Sequence, residues 1–494
     1  MGAELPGFDP DSFRRQAHRV VDWMADYLAG VGELPVQPHA PPGAILAQIP
    51  DAPPAEPESF ERIMADFERV IVPGLTHWGH PGFFAFFPAN NSPPSVLAEM
   101  LTATIGAQCM SWSTSPAATE LEQATMEWLR QMIGLPNGFT GVIQDTASTA
   151  TLVALITARD AKTRGRNAGG KAERRKDGNG EETNGLPVER LCVYTSEEAN
   201  SSVPKGARLA GFRPDRVRLI PTHEDCSMRV DALEAAIARD RAEHLTPACV
   251  VATVGTTSTT AIDPVPAINT ICRREGAWLH VDAAWAGSAA LLPEMRWIFD
   301  GVAEADSVVI NPHKWLLVNF DCSAYFVRDP DALLRSFSAS AEYLKDPGAS
   351  RVVNYRDWGI QLGRRFRALK LWFVIRSYGV EGLRAMLREH LRLAALFAGW
   401  VDAHPDFERL APAPLGLVCF RQIAVGSKPP GGTLDSLNER LLSRLHATGR
   451  IMLTQTRVKG RFGLRLALGH LTTTEAHVRE AWELIQEGAR EPGS

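Results

Sequence analysis

The chain has 494 residues, 45% hydrophobic and 22% charged, with 52 basic against 57 acidic side chains and a net charge of -5. That composition suits a globular protein with one principal core and smaller lobes. It offers no basic excess to neutralise phosphates and no run of about 18 apolar residues, so neither a nucleic-acid partner nor a membrane span is expected.

The start, MGAELPGFDPDSF, is acidic and lacks an apolar signal core. Asp9 is a natural N-cap and Pro10 a natural first helical residue. Phe13, Ala17, Val20, Val21, Met24 and Leu28 then recur at helical spacing. This stripe docks either on a partner subunit or on the chain's own large domain. Pro35 to Pro57 is rich in proline and reads as a wrapping linker. A second helix is predicted from Phe60 to Val72, followed by the aromatic stretch THWGHPGFFAFFP, Thr76 to Pro88. His77 and His80 lie in that stretch, but two histidines do not make a zinc site, and no metal is expected.

From Gly141 onward, short β-branched runs alternate with helical segments. Strands are predicted at Gly141 to Gln144, Leu191 to Thr195, Cys249 to Gly255, Ala277 to Asp282 and Asp306 to Ile310, with a helix from about Thr149. Strands joined by helical crossovers imply a mostly parallel sheet in an α/β domain. Ligands of such sheets bind beyond the carboxyl ends of the strands. The insert RGRNAGGKAERRKDGNGEETN, Arg164 to Asn184, is either a regulatory arm or a disordered surface loop, and its polar composition, too poor in apolar residues to order itself, favours the loop. Seven cysteines, at 109, 192, 226, 249, 272, 322 and 419, form no CxxC pair. They read as reduced thiols of a cytoplasmic protein.

Three motifs fall at predicted strand ends. Lys314, in NPHKW, follows the run Ser307 to Ile310. A lysine there can condense with an aldehyde, although a lone lysine after a strand is ordinarily a solvated charge. Asp282 closes AWLHVD before the small-residue turn AAWAGSA. It is either a helix cap or a carboxylate paired with a pyridinium nitrogen. DTAST, Asp145 to Thr149, is either ordinary capping or a phosphate cradle made by backbone amides with Thr146 and Ser148. Together they supply phosphate cradle, ring-nitrogen acid and aldehyde lysine in chain order.

With these motifs the chain resembles the group II pyridoxal-phosphate-dependent decarboxylases, specifically the aromatic-L-amino-acid decarboxylases. The matching stretches are THWGHPGFFAFFP, SWSTSPAATELE, VDAAWAGSA, NPHKWLLVNFDCSA and LGRRFRALKLWF, within a likeness running from about Asp9 to Glu487. The resemblance implies a type I aminotransferase-like fold and a homodimer with its active sites at the interface. It implies an N-terminal helical dimerisation segment (1–92), a large cofactor-binding domain (93–370) and a small C-terminal α+β domain (371–494). By the same likeness pyridoxal 5'-phosphate is the cofactor, Lys314 its lysine and Asp282 its ring-nitrogen partner. Ala147, Ser148 and Asn311 are phosphate-side contacts, Thr257 lies by the cofactor, and His313 is on the substrate side. Tyr343, in SASAEYLKD, matches the loop tyrosine that returns a proton to the former α-carbon; on residue type alone it would be a packed aromatic.

Trp78, Phe86, Phe87 and Pro88 are expected to wall an aromatic-substrate pocket, though core packing is the ordinary fate of such a cluster. Phe86 stands where these decarboxylases often have tyrosine, and Ala89 where a hydroxylated residue is common. Phenylalanine or tryptophan is therefore expected to be preferred over Dopa. Gly363 stands where the similar histidine decarboxylases carry serine, which disfavours histidine as substrate. One position departs from the pattern: Asn200, in TSEEANSS, replaces the histidine that the family stacks on the cofactor. Relatives with asparagine there resemble aldehyde synthases, which release aldehyde, ammonia and peroxide. That outcome stands as the alternative to amine formation, and a silent cofactor-binding protein as a remoter one.

Overall fold

The computed structural model describes residues 8–163, 174–176, 182–184, 186–338, 352–423 and 433–490. Helix α1 (Pro10–Gly30) starts where the cap predicts: the Asp9 side chain accepts the amide of Asp11 at 3.0 Å, with proline next in line. Of its apolar stripe, Ala17, Val20, Met24 and Leu28 are half-buried and none is fully buried; the aromatic contacts of the helix are made by residues beside the stripe. Trp23 stacks on Tyr27 and meets the edge of Phe67, and the Tyr27 hydroxyl bonds His77 at 2.8 Å. Phe13 and Val21 stay exposed. The second predicted helix is shorter than its periodicity suggests. Helix α2 (Phe60–Asp66) passes into a π turn at Phe67–Ile71 and a 3-10 turn at Val72–Gly74. Pro73 explains the break, since it has no amide to continue the ladder.

Helices α3 (Pro93–Ile105) and α4 (Pro116–Met132) lead to the first strand of the main sheet, β1 (Thr140–Gln144), and then to α5 (Ala147–Thr163). Of the insert, only β2 (Arg174–Lys176) and β3 (Glu182–Asn184) are described, paired antiparallel. The expectation of disorder for the remainder lies outside the described residues. The main sheet continues through β4 (Leu191–Ser196), β5 (Val217–Ile220), β6 (Thr246–Thr253), β7 (Trp278–Asp282), β8 (Ser307–Ile310) and β9 (Ser323–Val327). Its order is β1-β9-β8-β7-β6-β4-β5. β4 to β8 run parallel, while β9 lies antiparallel between β1 and β8. Every residue of β4 and β8 is buried, as a sheet covered by helices on both faces requires.

Strands β10 (Phe407–Arg409), β11 (Leu417–Gln422), β12 (Thr454–Val458) and β13 (Arg461–Ala467) form a separate antiparallel sheet in the order β10-β11-β13-β12. Phe397, Phe420 and Trp482 pack edge to face in the core beneath it. One helix, Arg367–Ala403, reaches both cores and kinks at Gly379, whose φ is 63°. All seven cysteines are buried and unpaired. Among the described residues no helix is long and apolar enough to cross a membrane.

Candidate active site

The carboxyl ends of β1, β6, β7 and β8 converge on a cavity of about 200 Å³. Its lining includes Phe87, Ala147, Ser148, Asn200, Thr257, Asp282, Asn311, His313 and Lys314. Residues far apart in sequence meet there because each ends a parallel strand or opens the element that follows it.

Lys314 sits on a single helical turn, Pro312–Trp315, directly after β8. Part of its surface faces the cavity, yet protein encloses it. That desolvation pulls its pKa down, with Asp282 opposing. Asp282 ends β7, is 6% exposed and accepts the amide of Ala284 at 3.0 Å. Burial pushes its carboxyl up, with Lys314 pulling it back. The pair therefore couples a lysine made more nucleophilic by burial to an acid ready to accept a cationic N–H.

At the start of α5 the Thr146 hydroxyl accepts the amide of Thr149 at 3.3 Å, so Thr146 is a cap. The amides of Ala147 and Ser148 open the helix, where no helical carbonyl four residues back can receive them, and both residues line the cavity. Asn311 accepts the Ser323 hydroxyl at 2.7 Å. His313 Nδ1 accepts the amide of Cys322 at 2.9 Å, which leaves the ring proton on Nε2. Burial, then Lys314, push this imidazole down to about 3, so it stays neutral. Asn200 donates to the Thr257 hydroxyl at 3.0 Å and accepts the amide of Ser202 at 2.9 Å.

Phe87 forms one wall. Its ring stacks on Trp285 at 4.4 Å, and Trp285 stacks on Trp315 at 4.1 Å. The Trp315 indole N–H donates to His390 at 3.0 Å. The other expected wall residues lie elsewhere within one chain. Trp78 and Phe86 stack on each other at the surface, 39% and 49% exposed. Pro88 is buried beside Gly469. Gly363 lines a separate cleft with Gln108, Asp145 and Arg364. The reason is geometric: in a stretch as apolar as FFAFFP every position can pack, and Phe83, Phe84 and Phe87 take the interior. Tyr343 lies outside the described residues. His77 and His80 serve the fold: His80 accepts the amide of Gly82 and bonds the carbonyl of Gly32. Among the described residues no group of three His, Cys, Asp or Glu could hold a metal ion.

Sequence reasoning missed Arg465, on β13. It is 4% exposed and donates to the carbonyls of Thr257 at 2.6 Å and Ser258 at 3.2 Å, and to the Thr454 hydroxyl at 2.7 Å. Its guanidinium also lies 5.3 Å from the Phe87 ring centre. The available signal was an arginine inside the otherwise apolar run GLRLAL. Gly255 was also missed. Its φ is +87°, and a Cβ there would come within 2.4 Å of the Ala286 side chain, so only glycine passes.

The residues present fit pyridoxal phosphate. A buried lysine and a buried carboxylate share one cavity, and the two residues that open α5, a helix N-terminus suited to an anion, line it as well.

Residues 42–423 match the family model described as the pyridoxal-dependent decarboxylase conserved domain. The chain is 44% identical over 489 residues to the aromatic-L-amino-acid decarboxylase of Rattus norvegicus, covering 97% of this chain and 98% of that one. It is 40% identical over 500 residues to the phenylacetaldehyde synthase of Arabidopsis thaliana, covering 99% and 98%. Among solved structures, Catharanthus roseus tryptophan decarboxylase in complex with L-tryptophan superposes with a TM-score of 0.90 at 38% identity, covering 98% of this chain and 99% of that one.

Proposed function

This chain belongs to the pyridoxal-dependent decarboxylases, and we propose that it converts an aromatic L-amino acid to its arylalkylamine and carbon dioxide. Phenylalanine, tryptophan, tyrosine and Dopa are the candidate substrates. The observation that carries this reading is the single cavity in which Lys314, Asp282 and the N-terminus of α5 meet.

When bound, pyridoxal phosphate supplies an aldehyde for the substrate amine and a ring that takes up the electron pair of the breaking bond to the carboxylate. Lys314 holds the aldehyde, and Asp282 holds the proton on the ring nitrogen. Ala147, Ser148 and Asn311 would receive the phosphate, and Thr257 and Asn200 would lie beside the ring. Neutral His313 offers a fixed N–H donor on the substrate side. Tyr343 returns the proton to the α-carbon. Phe87 contributes apolar wall within the chain. Of the remaining wall residues, Trp78, Phe86 and Gly363 lie at the surface and serve a cavity completed by a second copy, with Pro88 packed behind them.

That arrangement makes the working unit a homodimer built on three parts: 1–92, 93–370 and 371–494. Its support is apolar surface left open in one chain: Trp78 and Phe86, with Leu97, Leu101 and Ile105 spaced four apart along α3. Sedimentation at micromolar concentration tests it, and a monomer mass overturns it. A cytoplasmic location accords with seven unpaired thiols, and cell fractionation tests that.

A second reading is favoured by Asn200. Both polar ends of its side chain are engaged, and an amide does not relay protons. If oxygen intercepts the reaction before Tyr343 acts, amino acid, oxygen and water yield aldehyde, carbon dioxide, ammonia and peroxide. Incubating the purified protein under air with each candidate substrate, and measuring carbon dioxide, amine, aldehyde and peroxide, decides between the two. Absence of carbon dioxide release from all four substrates overturns both. Phe86 and Ala89 offer no hydroxyl to a catechol, so kcat/KM is expected to be higher for phenylalanine or tryptophan than for Dopa.

A further inference from the structure

Asp263 is a buried carboxylate that the chemistry above does not use. It is 1% exposed, and the charged side chain that bears on it, Asp225, has the same sign. Burial pushes it up to about 7, while two backbone amides pull the other way. Keeping an acid here is costly, since a buried carboxylate without a cation loses most of its solvation.

Its geometry shows what it holds. One oxygen accepts the amide of Met228 and the other the amide of Thr253, each at 2.8 Å. The Asp263 amide returns a bond to the Thr253 carbonyl at 2.9 Å. Beyond this neck, the amides of Gly255 and Thr256 both bond the Ala261 carbonyl at 3.0 Å. Residues 253–263 therefore form a closed loop, and Thr253, Gly255 and Thr257 on it line the cavity. Arg465 grips the tip of this loop and Asp263 its neck. The neck also borders β7: Thr253 lies in register with Asp282, and the Val254 amide bonds the Asp282 carbonyl at 2.9 Å.

We propose that Asp263 is a positioning residue for the cofactor: its carboxylate clamps the neck of the loop 253–263 and so fixes both the Thr253–Thr257 wall and the strand end that carries Asp282. A neutral side chain of the same size keeps one acceptor but turns an N–H₂ toward one of the two amides. That loss displaces the wall without emptying the core.

The test is Asp263→Asn in the full chain, with pyridoxal phosphate as the probe and no substrate. Its affinity is expected to fall roughly ten-fold or more, the scale of one lost charge-assisted hydrogen bond. The pH at which the bound cofactor changes colour is expected to shift, because Asp282 moves with the loop. A folded variant with unchanged affinity and an unchanged colour titration overturns the proposal. If the variant does not fold, hydrogen exchange on the natural, cofactor-free chain decides. The amides of Thr253 and Met228 are expected to exchange slowly before any cofactor is added. Rapid exchange there that only pyridoxal phosphate suppresses overturns it, since the cofactor and not Asp263 would then be shaping the loop. Neither measurement depends on which amino acid is decarboxylated.

Discussion

The Asn200 side chain donates to the Thr257 hydroxyl while its carbonyl receives the amide of Ser202, so two cavity-lining residues are tied to the start of helix Ser202–Leu209 by one amide group. Asparagine thus shapes this corner without being able to carry a proton. Replacing it with histidine, Asn200→His, is expected to lower the peroxide-to-amine ratio several-fold under air. An unchanged ratio removes Asn200 from the choice of product. Asn200→Ala is expected to cost about 1 kcal/mol in denaturant unfolding, the worth of a local turn bond.

Lys314→Ala is expected to abolish the yellow colour that survives dialysis and to lower kcat by at least about a thousand-fold. Asp282→Asn is expected to differ in kind. Cofactor still binds, but the ring nitrogen loses its anionic partner and kcat falls by roughly a hundred-fold or more. Absorbance after dialysis and single-turnover rates separate the two effects. Retained turnover in Lys314→Ala would remove the basis of the assignment.

Arg465 spends a buried cation on carbonyl and hydroxyl oxygens of the loop and of β12. Arg465→Met keeps much of the length but abandons those oxygens. The expected cost is about 3 kcal/mol of stability, with weaker cofactor binding alongside. Arg465→Lys is expected to recover part of both, since one ammonium can reach one or two of the acceptors. Urea unfolding and cofactor titration of the two variants check this; equal losses in both would mean that the positive charge contributes nothing.

His390 gives a pH signature. Burial pushes its imidazole down to about 4, and its Nδ1 accepts the Trp315 indole proton. The folded chain therefore keeps it neutral, whereas the unfolded chain protonates it near pH 6.5. Its contribution is fully present above that value and is lost as pH falls toward 4. Compared with His390→Gln, the natural chain is expected to lose about 2 kcal/mol of relative stability between pH 7 and pH 5. Parallel unfolding curves at the two pH values show it; a constant difference contradicts a neutral buried imidazole.

Much of the sheet was readable because its signals are local. β4, β7 and β8 are short, mostly apolar runs, and their ends coincide with the motifs around Thr195, Asp282 and Asn311. Cap chemistry located the start of α1 within one residue. What escaped depended on distance along the chain. Arg465 lies 208 residues from Thr257, and nothing near either residue announces the other. Asp263 stands directly before a proline with no local signal of its role, since its partners Met228 and Thr253 arrive from other elements. In THWGHPGFFAFFP the pattern carried hydrophobicity without a face. The positive φ of Phe86, 52°, turns that ring outward, and the ring of Phe87 is buried.

The stacked indoles of Trp285 and Trp315 also have an optical meaning. Of twelve tryptophans in the chain, this pair forms part of the cavity's backing, one ring directly in the wall. A chromophore seated against them lies well inside resonance-transfer range of their excited states. Ultraviolet emission from this couple should dim as the cavity fills, so the chain carries its own gauge of occupancy and needs no attached dye.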